Sequence, residues 1–282
     1  MPSPHPGGEA RRHNPAAALL PPVEMEDTVD YDRPVSPPEL RRISKLFGAL
    51  FLITLVTSIP ALWLYQPVLD NPARYIAGAG HDSRIFLGAF LELLLIVSNI
   101  GTAIVVYPLL KRVNEVCAIG YVTARVMECT FILVGILSVL AVVGLRDSPP
   151  AGSQAVVGSI AYALAAIKDW TFLLGPGFVV GIGNGLLLGY LMYRSGLVPK
   201  RMAMLGLVAG PLVCITGVAV MFGADTPSGA LQGIATIPEF LWELSLGLYP
   251  LIWGFKADAA IVTGKSPEDA PRWQATPAVA TS

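Results

Sequence analysis

Cysteine is scarce in this 282-residue chain, and Cys117, Cys129 and Cys214 all lie in or beside apolar runs with no CxxC spacing. That pattern excludes a disulfide framework and a cysteine-based zinc site. The three histidines, His5, His13 and His81, fall outside the apolar runs. A membrane b-type haem would therefore lack its paired axial ligands, and no metal centre is indicated. Charge is sparse as well, at 14% of residues, against roughly a quarter in soluble domains. With a formal net charge of -1 and no basic stripe, a nucleic-acid footprint is excluded. No GxSxG, HExxH or Walker loop occurs, so no catalytic residue and no cofactor can be named from motifs.

Apolarity takes the place of these features: 54% of residues are hydrophobic and the mean hydropathy is +0.61. A bilayer core of about 30 Å needs roughly 20 apolar residues at about 1.5 Å rise each. Segments 43–65, 84–110, 116–144, 169–193, 202–223 and 235–255 meet that requirement. The sequence thus predicts an all-α polytopic membrane bundle of about six transmembrane helices, a multi-pass protein of the cell membrane. Residues 155–167 are apolar but too short for a seventh span. They read as a re-entrant or surface helix, or as an outer extension of the fourth span. Trp63, Tyr65, Tyr107, Trp170, Tyr190, Tyr193 and Trp253 mark span ends, as an interfacial aromatic belt would.

The domain organisation follows from composition. Residues 1–38 are rich in Pro, Ala and acidic side chains, without periodicity, and read as a disordered tail. Their apolar stretch begins too late for a secretory signal, and Met25 is a second candidate start. Ser36-Pro37-Pro38-Glu39 predicts a capping box that opens the first helix. Residues 39–256 form the six-span domain, and 257–282 read as a second disordered tail.

Lys and Arg set the orientation. Arg33, Arg41, Arg42, Lys45, Lys111, Arg112, Arg194, Lys200, Arg201, Lys256 and Lys265 fall in one set of segments, and only Arg74, Arg84 and Arg146 in the other, with Lys168 at a boundary. The richer set belongs in the cytoplasm, which puts both termini there.

The intramembrane polar residues are the candidate site. Counting along the helices from their outer ends, Glu92, Glu128 and Glu243 fall at about 12 Å depth, Arg125 a turn deeper, and Asn99 and Asn184 near 21 Å. Arg125 and Glu128 are i,i+3, and Glu239 and Glu243 are i,i+4, so each pair shares a helix face. Arg125 is expected to be buried against Glu92, Glu128 or both. The acids Glu92, Glu128, Asp169, Glu239 and Glu243 outnumber the bases Arg125 and Lys168. Uncompensated carboxylates in a low-dielectric layer take up protons or hold a cation, although Asp169 and Glu239 could equally sit in interfacial water. Gly177, Gly181, Gly185 and Gly189 recur every fourth residue and predict a stripe for close helix packing, with Gly206 and Gly210 as its counterpart. Pro176 should bend its helix.

Several stretches together are similar to one family. They are Phe51-Leu-Ile-Thr-Leu-Val-Thr-Ser-Ile-Pro60, Leu87-Gly-Ala-Phe-Leu-Glu92 with Asn99-Ile-Gly-Thr102, Ala118-Ile-Gly-Tyr-Val-Thr-Ala-Arg-Val-Met-Glu128, Lys168-Asp-Trp-Thr-Phe-Leu-Leu-Gly-Pro-Gly177 and Pro238-Glu-Phe-Leu-Trp-Glu243. This set resembles the bacterial membrane family known as domain of unknown function 4386. The resemblance implies a multi-span protein of the bacterial inner membrane and brings no substrate or reaction.

Three functions stay open at this point. One is a structural or signalling partner within the bilayer, working with another membrane protein or a second copy of the chain. Another is a transporter or binder of protons, cations or small amines through Glu92, Asn99, Arg125, Glu128, Asn184, Glu239 and Glu243, which calls for a cavity open to the outer face. The third is a carboxylate-based intramembrane enzyme.

Overall fold

The computed structural model describes residues 34–78, 81–147 and 154–264. Most of both expected tails lies outside the described residues. Among those described, the chain is helical, with no strand.

Eight helices follow one another: α1 (Pro37–Asp70), α2 (Pro72–Ile76), α3 (Asp82–Leu110), α4 (Glu115–Asp147), α5 (Gln154–Ser195), α6 (Lys200–Met221), α7 (Ala230–Ile252) and α8 (Ala260–Thr263). Five of them, α1, α3, α4, α5 and α6, are long and apolar enough to cross a membrane. The stretch 155–167 is an extension of the helix expected as the fourth span, because α5 continues through it without a break. Helix α7 is 23 residues long, about 34 Å at helical rise. It carries Gln232, Glu239 and Glu243 within its apolar run and is not among those five.

The six long helices close a ring in chain order: α1 packs on α3, α3 on α4, α4 on α5, α5 on α6, α6 on α7, and α7 back on α1. The Val35 N–H donates to the Val262 carbonyl at 2.9 Å. Both described chain ends therefore meet at one end of the ring, here the terminal end; α2 and the α6–α7 loop lie at the opposite, distal end. Residues 257–264, expected in the tail, are ordered there, with Ala259 and Val262 buried beside Phe47 and Phe255. Apolar burial of those two side chains explains the shifted boundary.

Two apolar clusters seal the ring. Phe47, Phe51, Tyr121, Leu188, Trp242 and Leu246 belong to the terminal one, and Tyr65, Val68, Ile85, Val139, Val142 and Ala161 to the distal one. Tyr65 is thus core, not part of an aromatic belt, while Trp63 and Trp253 are well exposed as a belt requires.

Local sequence accounts for the irregularities. Ser36 is the N-cap and Pro37 opens α1, but the Ser36 side chain makes no capping hydrogen bond. Instead the Leu40 N–H closes the turn on the Ser36 carbonyl at 3.0 Å. The middle of α5 widens into π-helix over Leu173–Val179 and Gly181–Leu188. Pro176 offers no N–H and its ring collides with the carbonyl four residues back, so the helix opens by one residue per turn. The N–H of Gly189 reaches the Asn184 carbonyl, five residues away.

The glycine stripe faces α6. A Cβ on Gly185 would stand 2.3 Å from the Gly210 Cα, and one on Gly210 would stand 2.4 Å from the Gly181 carbonyl oxygen. The two backbones touch, which only residues without side chains permit. Gly177 departs from the pattern and faces Gln232, and Gly206 makes room for the Trp242 indole.

Candidate functional site

Between the two clusters the ring encloses a cavity of about 180 Å³, with Glu92, Glu128, Glu239, Glu243, Asn99 and Lys168 on its wall. Its charged groups come from α3, α4, α5 and α7, and α1 adds Thr54 and Ser58.

Two arrangements tie most of these groups down. In the first, the Lys168 ammonium donates to both Glu92 oxygens, at 2.6 and 2.8 Å. The Tyr65 hydroxyl donates to the same carboxylate at 3.0 Å, and its ring lies 4.9 Å from the Lys168 nitrogen. In the second, Arg125 Nη1 lies 2.7 Å from Glu128 Oε2, and Asn99 Nδ2 donates to Glu128 Oε1 at 2.9 Å. Arg125 Nη2 points to Glu243 Oε1 at 3.9 Å, and that oxygen accepts from Asn184 Nδ2. Arg125 thus stands between two matching Asn–Glu pairs. Its guanidinium also faces the Phe51 ring at 5.2 Å, and Trp242 fixes the Asn184 backbone by donating to its carbonyl at 3.0 Å.

Glu239 is different. It is 3% exposed, lines the cavity, and neither of its oxygens has a hydrogen-bond partner among the described residues.

The sequence reading needs four amendments. Glu92 pairs with Lys168 rather than Arg125. Lys168, placed at a span boundary and counted with Arg125 as a base of the layer, is itself only 3% exposed; a long apolar stem lets lysine carry its ammonium to an acid inside the ring. Glu239 sits in the protein interior, not in interfacial water. Asp169 is half-buried and off the cavity wall, so four acids face two bases. Sequence reasoning counted Lys168 as a base of the acidic layer without naming its partner Glu92, and it missed Tyr65 and Trp242 as site residues.

The exposed residues on the cavity wall are Ile59 on α1 with Thr236 and Phe240 on α7, two helices that pack on each other.

Chemically, the arrangement offers an acidic, largely apolar pocket. Among the described residues, no three His, Cys, Asp or Glu side chains converge to hold a metal ion. Neither a curated protein nor a solved structure matches the chain. A family model does, over residues 46–254, and it takes in every residue of this cavity. The chain is a multi-pass membrane protein and belongs to the family described as Domain of unknown function (DUF4386).

Proposed function

We propose that the chain binds or transports a proton or a small organic cation in the acidic cavity. The carrying observation is Glu239, a buried carboxyl on the cavity wall with no partner for either oxygen. An isolated ionised carboxylate in an apolar interior is untenable, so the group holds a proton or meets a cation. Glu92 and Glu128 already have Lys168 and Arg125. Glu239 and Glu243, one turn apart on α7, keep the negative excess.

A purely structural role accounts for the paired groups, which would lock helix register. It gives no reason to bury Glu239 against a cavity. The π-helical stretch of α5, which contributes Pro176 to the wall with Val180 between its two segments, adds to the binding reading, since such widened turns concentrate at functional sites.

The membrane arrangement is part of this proposal. We place six spans in the cell membrane, with α7 as the sixth, because Val35 and Val262 meet at one end and only an even number of crossings brings them there. The cation-rich loops put that end in the cytoplasm. A reporter fused after Lys265 should read cytoplasmic and a tag at Asp225 should label from outside.

The direct test compares the wild type with Glu239→Gln in lipid nanodiscs. Infrared difference spectra on changing pH should show a protonated-carboxyl band that Glu239→Gln removes, and ethylammonium should raise the wild-type melting temperature only. Identical spectra and melting curves for the two proteins would refute the reading.

A further inference from the structure

We infer that the cavity takes an amphiphilic amine from the membrane, with its ammonium against Glu239 and Glu243 and its apolar chain leaving between α1 and α7 past Ile59 and Phe240. This rests on the acidic-cavity reading above and narrows its ligand class.

Headgroup chemistry comes first. An ammonium has three N–H donors and needs acceptors around it. Glu239 offers both carboxylate oxygens, each without a donor. Across from α7, Thr54 and Ser58 of α1 line the same space. The Thr54 hydroxyl donates to the Phe51 carbonyl at 2.7 Å and that of Ser58 to the Leu55 carbonyl at 3.4 Å. With their protons directed at backbone, both hydroxyls keep acceptor capacity only. The result is an acceptor-rich seat with net negative charge.

Size and lining then set the rest of the molecule. A cavity of about 150 Å³ is filled by a benzene, so about 180 Å³ holds a headgroup and a short stem, not a long chain. Leu55, Leu62 and Val180 make the remaining wall apolar. A strongly hydrated inorganic ion would give up its water there with little in return.

The route decides the source. At the mouth Ile59 is 43% and Phe240 37% exposed, and both lie on the apolar flanks that α1 presents with Val56 and Trp63 and α7 with Ile237 and Leu241. In a bilayer these flanks face acyl chains. A ligand entering here is already in the membrane, and its chain can stay in lipid while its ammonium reaches Glu239.

The test uses the full chain in zwitterionic-lipid nanodiscs, with ethylamine, dodecylamine and dodecanol titrated by calorimetry. Dodecylammonium should bind at least about tenfold tighter than ethylammonium, and dodecanol should not saturate a site. Glu239→Gln should weaken dodecylammonium by about tenfold or more. The pair Ile59→Trp and Phe240→Trp, both at exposed positions, should weaken dodecylammonium far more than ethylammonium, so that the chain-length advantage disappears. If ethylammonium binds as well as dodecylammonium, or the tryptophan pair leaves the advantage intact, the lateral portal is wrong and a water-fed small-cation site stands in its place. If neither amine binds and Glu239→Gln changes nothing, the acidic-cavity reading falls with it.

Discussion

The ammonium of Lys168 holds both carboxylate oxygens of Glu92, at 2.6 and 2.8 Å, from a position 76 residues away in the chain. The pair joins α5 to α3 across the distal side of the cavity, and Tyr65 of α1 adds a third helix through its hydroxyl. Each member is almost fully buried, so each depends on the others to compensate its desolvation.

Removing one partner should therefore cost more than removing both. Lys168→Met should destabilise the protein by about 3–5 kcal/mol, because it strands the Glu92 carboxylate in the interior. Lys168→Met combined with Glu92→Gln should recover much of that loss. Thermal melts of the wild type, both single variants and the double variant in detergent form a complete cycle. Additive losses would mean that the pair is not coupled.

Backbone contact between α5 and α6 gives a second expectation. A methyl group on Gly185 would sit 2.3 Å from the Gly210 Cα, so the helices must separate to admit it. Gly185→Ala should cost about 1–3 kcal/mol, the range for overpacking a close contact. Gly144, around which nothing lies within 4 Å of an added Cβ, is the control: Gly144→Ala should be neutral or slightly stabilising, since alanine is the better helix former. Equal melting temperatures for Gly185→Ala and the wild type would contradict the close approach.

The outcome at these sites shows where sequence reasoning reaches and where it stops. Long apolar runs fix helix length against bilayer thickness, so most helix ends were legible to within a few residues, although α5 begins at Gln154 rather than at 169. Local spacing also carried well: Arg125 with Glu128 is a same-helix contact that needs only the helical period. Partners between helices depend on rotation and register, which a single sequence does not contain. Arg125 was therefore left open between Glu128, which it takes, and Glu92, whose partner is Lys168. The charged atom of Lys168 lies well away from its backbone, so a residue placed at a span boundary reaches the interior. Glu239 was ambiguous for a related reason: its burial depends on how α7 turns toward α1.

Asp225 supplies a pH dependence away from the membrane interior. One of its oxygens accepts from the Thr226 N–H at 2.8 Å and the other from the Leu231 N–H at 2.9 Å. These backbone donors hold its carboxyl below the ordinary aspartate range. A group depressed in the folded state contributes stability that is complete above the unfolded value of about 3.9 and is lost as pH falls through the lower folded value. The melting temperature of the wild type should therefore drop over that acidic window by more than that of Asp225→Asn. Because the carboxylate caps the first turn of α7, Asp225→Ala should also lower stability at neutral pH. Parallel pH profiles for wild type and Asp225→Asn would remove the cap from consideration.

Arg125 is the residue on which the charge balance of the cavity turns. Its Nη1 bonds Glu128 at 2.7 Å, and its Nη2 faces Glu243 at 3.9 Å without a hydrogen bond of its own. One guanidinium thereby serves two carboxylates on two helices, a task suited to a planar fork rather than to a point charge. Arg125→Ala should destabilise the protein by about 3–5 kcal/mol, since Glu128 loses its cation and Glu243 its only nearby positive charge. Arg125→Lys should fall between the two, because an ammonium can approach one carboxylate and not both. Adding Glu128→Gln to Arg125→Ala should restore part of the loss. The change in charge also has a functional consequence, since four acids would then face Lys168 alone. The Arg125→Ala protein should gain a larger melting-temperature increase from ethylammonium than the wild type does, because the added cation replaces part of the missing charge. If Arg125→Ala melts like the wild type and responds no more strongly to ethylammonium, the guanidinium does not govern the field in the cavity, and Glu243 must be neutralised by some other group.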